Sequence, residues 1–295
     1  MITVVRKEVI AMLDFIHQLM NPSMSFLLYA FLTGAVASVA FGIIGTYVVT
    51  RRITAIAGAI AHCVLGGIGI ALYLKLNYQL AWCTPMLGAI VSALLSAIII
   101  GLVSMYAKER EDTVIGAIWA IGMAIGLLFL AKTPGYIDLH SYLFGNILLV
   151  NADDFKVTLI LDVVVLVPAI FLFNNFLAVC FDSRFAELRG LLIKLTYLLL
   201  LCMTAMTIVL MVTIVGIIMV IALLTLPAAV AGYFTRRMWS MMSLAILLSL
   251  VFTSSGLIVS YKWDLPSGPI IVVIAGGCYV LTVLYRLAAK RIFKK

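Results

Sequence analysis

The chain has 295 residues, of which 65% are hydrophobic and only 11% charged, and its mean hydropathy is +1.24. That balance excludes an ordinary water-soluble domain, and what remains between the apolar runs is too short to hide a soluble catalytic domain. The formal net charge of +8 reads as membrane topology and contact with the anionic lipid bilayer, not as a nucleic-acid surface.

Residues 1–22 do not make a convincing signal peptide. The apolar stretch Val9 to Leu13 is short, and Asp14 and His17 break up the residues after it. Ile10, Leu13, Ile16 and Leu19 recur at helical spacing, which predicts an interfacial helix on the outer surface. Runs long enough to span, about 20 mostly apolar residues each, then begin near Met24, Ile53, Thr84, Thr113, Phe155, Leu191, Gly216, Trp239 and Gly268. The fold expected is all-α: one polytopic transmembrane helical bundle over 1–295 with eight to nine spans.

The basic residues orient it. With the Arg51-Arg52 loop in the cytoplasm, the outer side keeps Arg6, Lys7, Lys75, Lys132, Lys156 and Lys262, and the other 14 of the 20 Lys and Arg fall inside. Cytoplasmic loops collect such residues, so the N-terminus is expected outside and the C-terminus in the cytoplasm.

The second run carries the strongest chemical signal. Thr54, Gly58, His62 and Gly66 recur every four residues, forming one stripe on a helix. An imidazole at membrane depth is costly, which makes His62 a candidate pathway residue; the alternative is a core histidine bonded to a neighbouring helix carbonyl. The glycines suit close helix packing, and Gly58 could leave room for water or an ion. Asp162, inside the fifth run, either attracts incoming metal or pairs with Lys156 or a backbone donor. Asp138, His140, Asp153 and Asp154 form an outer acidic collection suited to receiving an ion or a docking partner. The five cysteines show no metal-ligand spacing and read as small hydrophobes. Pro227 invites a kink in the seventh run.

Between the fifth and sixth runs, residues 181–192 read as a short amphipathic cytoplasmic helix. Asp182 or Ser183 would cap it, Phe185, Leu188 and Leu192 share a face, and Gly190 ends it in a left-handed residue. The other inner connection, residues 108–113, is a compact charged turn.

With these motifs in place the chain resembles a permease of the manganese/zinc/iron ABC transporter family. The resemblance rests on Arg51-Arg52 with the helix ending His62 to Gly67, on Glu111 to Gly122, Leu143 to Leu148, and Phe181-Asp182 through Glu187 and Gly190. It continues through Ala222 to Ala229 and Ser260 to Gly268. It implies an importer subunit moving a divalent manganese, zinc or iron ion by alternating access. Its partners would be a cytoplasmic ATPase dimer docked under Phe181, Asp182, Phe185, Glu187 and Gly190, an extracytoplasmic metal-binding protein, and a second permease copy. No G-x-x-x-x-G-K-[ST] loop occurs, so ATP hydrolysis is expected on a separate chain, and this subunit is not expected to be an enzyme.

One position departs from the pattern. The family's second span usually carries an aspartate four residues before the histidine, and here that position is Gly58. A histidine and a carboxylate at that spacing suit a divalent transition metal. Three readings are open: a heterodimer whose paralogous partner retains the carboxylate, conduction by His62 alone or with Cys63 or an outer acid, or a different substrate. Outside this resemblance, a gradient-driven secondary transporter using His62 and Asp162 is the alternative. Within the ABC class it is a permease for a metal chelate.

Overall fold

In the computed structural model, residues 25–106, 111–134, 143–145 and 150–292 are described. The expected interfacial helix over 1–22, the turn residues 108–110, Asp138 and His140 lie outside them.

Eleven helices occur among the described residues: α1 (Ser25–Arg51), α2 (Thr54–Asn77), α3 (Pro85–Tyr106), α4 (Glu111–Lys132), α5 (Ala152–Phe171), α6 (Phe173–Phe181), α7 (Ser183–Leu188), α8 (Ile193–Val215), α9 (Ile217–Phe234), α10 (Met238–Trp263) and α11 (Ser267–Ile292). Eight are long and apolar enough to cross a membrane on their own. The bent pair α5 and α6 makes a ninth. Short connections make neighbours run in opposite directions within α1–α4 and within α8–α11. The contacts of Cys180 with Tyr47 and of Tyr197 with Arg51 align the two sets, so the ends of α1, α3, α6, α9 and α11 fall together at the Arg51 end.

Chain composition explains the packing. Lipid tails are as apolar as the helix surfaces, so association depends on close contact and internal hydrogen bonds. Buried hydroxyls turn inward on their own helices: Ser38 donates to Gly34 O, Thr204 to Leu200 O and Thr253 to Ser249 O, at 2.7 to 2.8 Å. These hydroxyl protons are thereby kept from facing hydrocarbon.

At the centre lies α2, with 78% of its apolar window buried. It packs on α3 and α4 on one flank and on α8 and α9 on the other, while α1 carries α5, α9 and α10. Two peripheral helices, α4 and α11, keep only 17% of their windows buried. The α2 glycines allow the close approach expected of them. A Cβ on Gly67 would overlap the Gly88 carbonyl of α3, and one on Gly66 would sit 2.8 Å from the Gly122 carbonyl of α4.

The fifth span departs from the expected single rod. It bends by 70° where α5 passes into α6, just after Pro168 and at Leu172. By contrast α9 continues through Pro227. A proline inside a membrane helix is tolerated when neighbours satisfy the freed backbone groups.

At the opposite end from Arg51, three connections meet. Gly145 (φ +63°) and Gly216 (φ +84°) adopt left-handed backbones that glycine enters without steric cost. A side chain on either would collide with the other's connection, and a Cβ on Gly268, in α11, would strike the Phe144 carbonyl.

Candidate functional site

The histidine of α2 meets α4. Trp119 projects from α4 onto α2, and its indole stacks on the His62 ring with centroids 4.5 Å apart and planes 19° from parallel. The same indole closes the space over Gly58, where an added Cβ would lie 3.3 Å from Cζ3 and 3.6 Å from Cη2. The room for water or an ion expected there is filled by an aromatic edge.

His62 is half-buried, and its Nδ1 is enclosed with no hydrogen-bond partner among the described residues. The helix carbonyl expected as its alternative partner therefore does not engage Nδ1. Cys63 does bond: its Sγ donates to Ile118 O of α4 at 3.2 Å, which commits the thiol to the α2–α4 seam. Sequence reasoning missed Trp119 as a site residue. Its only signal was a large aromatic inside a motif otherwise built of small and branched residues.

The acidic candidates lie elsewhere. Asp162 is buried in α5, with Oδ1 unpartnered among the described residues, but α5 packs chiefly on α1 and α8 and not on the α2–α4 pair. The structure does not bring Asp162 to His62. Nor does Asp162 pair with Lys156, as one reading expected: Lys156 Nζ instead bonds Asp153 at 3.0 Å, one helical turn away and in water. Asp154 serves the helix start. Asn151 caps the Asp153 and Asp154 amides while Asp154 Oδ2 accepts from the Asn151 amide at 3.2 Å, a reciprocal cap that fits an exposed helix terminus. Among the described residues, no three of His, Cys, Asp and Glu gather as an ion site.

The second site is the elbow at the Arg51 end. The expected single helix over 181–192 is shorter: Phe181 closes α6, Asp182 is extended (φ −148°, ψ 91°), and α7 runs only from Ser183 to Leu188. The Asp182 carbonyl accepts from the Ala186 amide at 3.1 Å. Gly190 (φ +76°) ends the turn as expected, with Leu191 N returning to Ala186 O. Phe185 belongs to α7, and Glu187 of the same helix is exposed. Phe171, Phe181, Leu188 and Leu192 are all more than two-thirds exposed. Beside them a cleft of about 620 Å³ is bordered by Asn174, Phe181, Asp182, Ala186, Arg189 and Leu191. Such an apolar patch around a short helix is a protein-docking surface in form.

Tyr47 of α1 is one of the ties between the elbow and the bundle, beside the stacking of Phe173 on Trp239 of α10 at 4.2 Å. Tyr47 is fully buried, donates its hydroxyl to Ala169 O at 3.0 Å, and packs edge-on to Phe176 at 5.2 Å. Cys180 Sγ reaches the Tyr47 carbonyl at 4.0 Å.

Comparison with known proteins agrees with this architecture. Residues 23–286 match the model of the ABC 3 transport family. A "Probable metal transport system membrane protein" of Chlamydia trachomatis is 42% identical over 251 residues, covering 85% of each chain. The "Manganese transport system membrane protein MntC" of Listeria monocytogenes is 31% identical over 271 residues, covering 92% of this chain and 94% of that one. In solved structures, PsaBC from Streptococcus pneumoniae in complex with Fab superposes with a TM-score of 0.80 at 28% identity, covering 92% of this chain and 95% of that one. The chain belongs to the ABC 3 transport family and is a multi-pass membrane permease of the metal-transporting ABC group.

Proposed function

We propose that this chain is the membrane-spanning subunit of an ABC importer for a divalent transition-metal ion, with manganese the first candidate because named relatives carry it. The observation that carries this reading is the α6–α7 elbow, a six-residue helix ringed by exposed apolar side chains and latched to the bundle through Tyr47. The Arg51 end is then cytoplasmic. A separate ATPase dimer grips α7, its closure pulls the elbow, and the pull passes through α6 and Tyr47 into α1. The opposite end receives metal from an extracytoplasmic binding protein.

His62 is the one candidate donor on α2 that is not committed to a neighbour, and the place of the missing carboxylate is occupied by Trp119. A single imidazole is a poor site for manganese, which favours oxygen ligands. We infer that the remaining ligands come from a second permease, a paralogue that keeps its carboxylate.

Reconstitution tests this. The chain is placed in proteoliposomes with its candidate ATPase and permease partners, and manganese uptake and ATP hydrolysis are followed with metal-loaded binding protein outside. Uptake should require ATP, and Leu188→Asp should abolish ATPase retention while the permease still folds. Uptake by the chain without an ATPase, driven by an imposed proton gradient, would sink the reading in favour of a secondary transporter.

A further inference from the structure

At the Arg51 end, the end of α1, the start of α2, the end of α3 and the starts of α4 and α8 enclose a cavity of about 300 Å³, at the lower end of the range for small-ligand sites. Arg51, Arg52 and Lys194 line it, with Asp112 as its carboxylate. None of the three cations forms a salt bridge with another described residue.

Aromatic rings hold two of the charged heads. The Arg51 guanidinium lies 5.6 Å from the Tyr197 ring centroid, and Lys194 Nζ lies 4.2 Å from that of Tyr106. A ring face positions a cation without neutralising it. The backbone adds charge of the same sign. Helices α2 and α8, of 24 and 23 residues, both begin at this cavity, and neither Ile53 nor Leu192 supplies a side-chain cap. At α2 the first amides lack helix partners and carry the positive end of its dipole, whereas at α8 the Ile193 amide turns back to Leu191 O at 2.9 Å.

Among the described residues, three cations and two helix starts without side-chain caps face one carboxylate, an excess of positive charge at this end of the bundle. We propose that this cavity is a binding site for a phosphate group, carried by an acidic phospholipid or free in solution. Tetrahedral oxygens suit the guanidinium forks and the backbone amides together. Ile53, Ile56, Met105 and Ile115 form the rest of the wall and suit the glycerol and acyl portion of a lipid. Asp112 provides an acceptor for a headgroup hydroxyl, which phosphatidylglycerol has and phosphatidylcholine lacks. The bound phosphate ties the starts of α2 and α8 to the end of α1. It does not depend on which metal the permease carries or on the ATPase.

The test uses the purified full-length chain in neutral detergent, following thermal unfolding as phosphatidylglycerol, phosphatidylcholine or inorganic phosphate is added. Phosphatidylglycerol should raise Tm by roughly 5 °C at saturation, and phosphatidylcholine should not. The pair Arg52→Gln with Lys194→Gln should need roughly tenfold more phosphatidylglycerol for the same rise. Arg236→Gln with Arg237→Gln removes equal charge at the same end but outside the cavity, and should titrate as the unmodified chain does. If inorganic phosphate reproduces the rise and its sensitivity to the first pair, the site takes free phosphate; if only the lipid does, the headgroup is the source. Equal titration of both double variants, or no difference between the two lipids together with no effect of phosphate, would overturn the proposal.

Discussion

Tyr47 gives its hydroxyl proton to the carbonyl of Ala169 across 3.0 Å. That carbonyl sits at the end of α5, where the chain turns and no following amide of α6 reaches back to it. The last carbonyls of any helix are left without partners, and in a bilayer water does not supply one. The phenol therefore does two things at once: it satisfies the break and fixes the direction of α6.

Replacing it isolates the bond from the ring. Tyr47→Phe keeps the edge contact with Phe176 and strands the Ala169 carbonyl, a loss of about 1–3 kcal/mol. The expected result is a lower unfolding temperature together with a lower ratio of metal moved to ATP hydrolysed. A variant with unchanged stability and an unchanged ratio would show that the elbow is held by packing alone.

The Trp119 lid over Gly58 predicts a coupled pair. Gly58→Asp forces a side chain against the indole edge, 3.3 Å from the new Cβ, and should cost about 1–3 kcal/mol. In a Trp119→Ala background the same substitution should cost much less, so the two changes are non-additive in a double-mutant cycle. Thermal unfolding of the four proteins reads the coupling directly.

His62 should matter to transport and little to folding. Its ring stacks on Trp119 without a hydrogen bond at Nδ1, so His62→Gln should leave the unfolding midpoint almost unchanged. Metal uptake in the reconstituted importer should fall roughly 10- to 100-fold, the range for losing a group that holds or orients a metal. Uptake equal to that of the unmodified chain would remove His62 from the pathway.

Asp162 offers the opposite pattern. Its Oδ1 is buried and unpartnered among the described residues, in a layer away from α2. Asp162→Asn should keep uptake intact and raise stability by about 1 kcal/mol, since an uncompensated carboxylate is costly in the bilayer. A strong uptake defect with normal stability would instead place it on the ion's route.

Glycines separate packing from composition. Gly67→Val should cost about 3 kcal/mol or more, because the new side chain meets the backbone of α3 at Gly88. Gly116→Ala, with nothing within 4 Å of its added carbon, should be neutral or slightly stabilising. Expression level and unfolding temperature distinguish the two in one experiment.

The spans were legible because hydropathy is a local property, and each long apolar run became a helix near its expected start. The end of α7 was equally legible, since Gly190 is a helix stop that needs no tertiary partner. The bend at Leu172 was not, because the apolar run continues through it. Pro168 and the pair Asn174-Asn175 were its only marks, and a proline within a span does not by itself decide between bend and rod, as Pro227 shows. The Trp119 cover on Gly58 was out of reach, because the pairing of α2 with α4 skips a helix and depends on which glycines face each other. The outer acids could have been read better: Asn151 followed three residues later by Asp154 is a capping spacing, and Asp153 with Lys156 is a one-turn ion pair.

The junction of Gly145, Gly216 and Gly268 bears on how the protein is made. When Gly145 leaves the ribosome, the two connections that must close around it have not been synthesised, and Gly268 belongs to the final helix. The first half of the chain must wait in the bilayer with that joint open. Shape at this end is completed only when α11 arrives. A chain cut before Ser267 should insert all its earlier spans, with α1 packed on α9 and α10, and lack only the third side of this joint, where Gly268 meets Phe144.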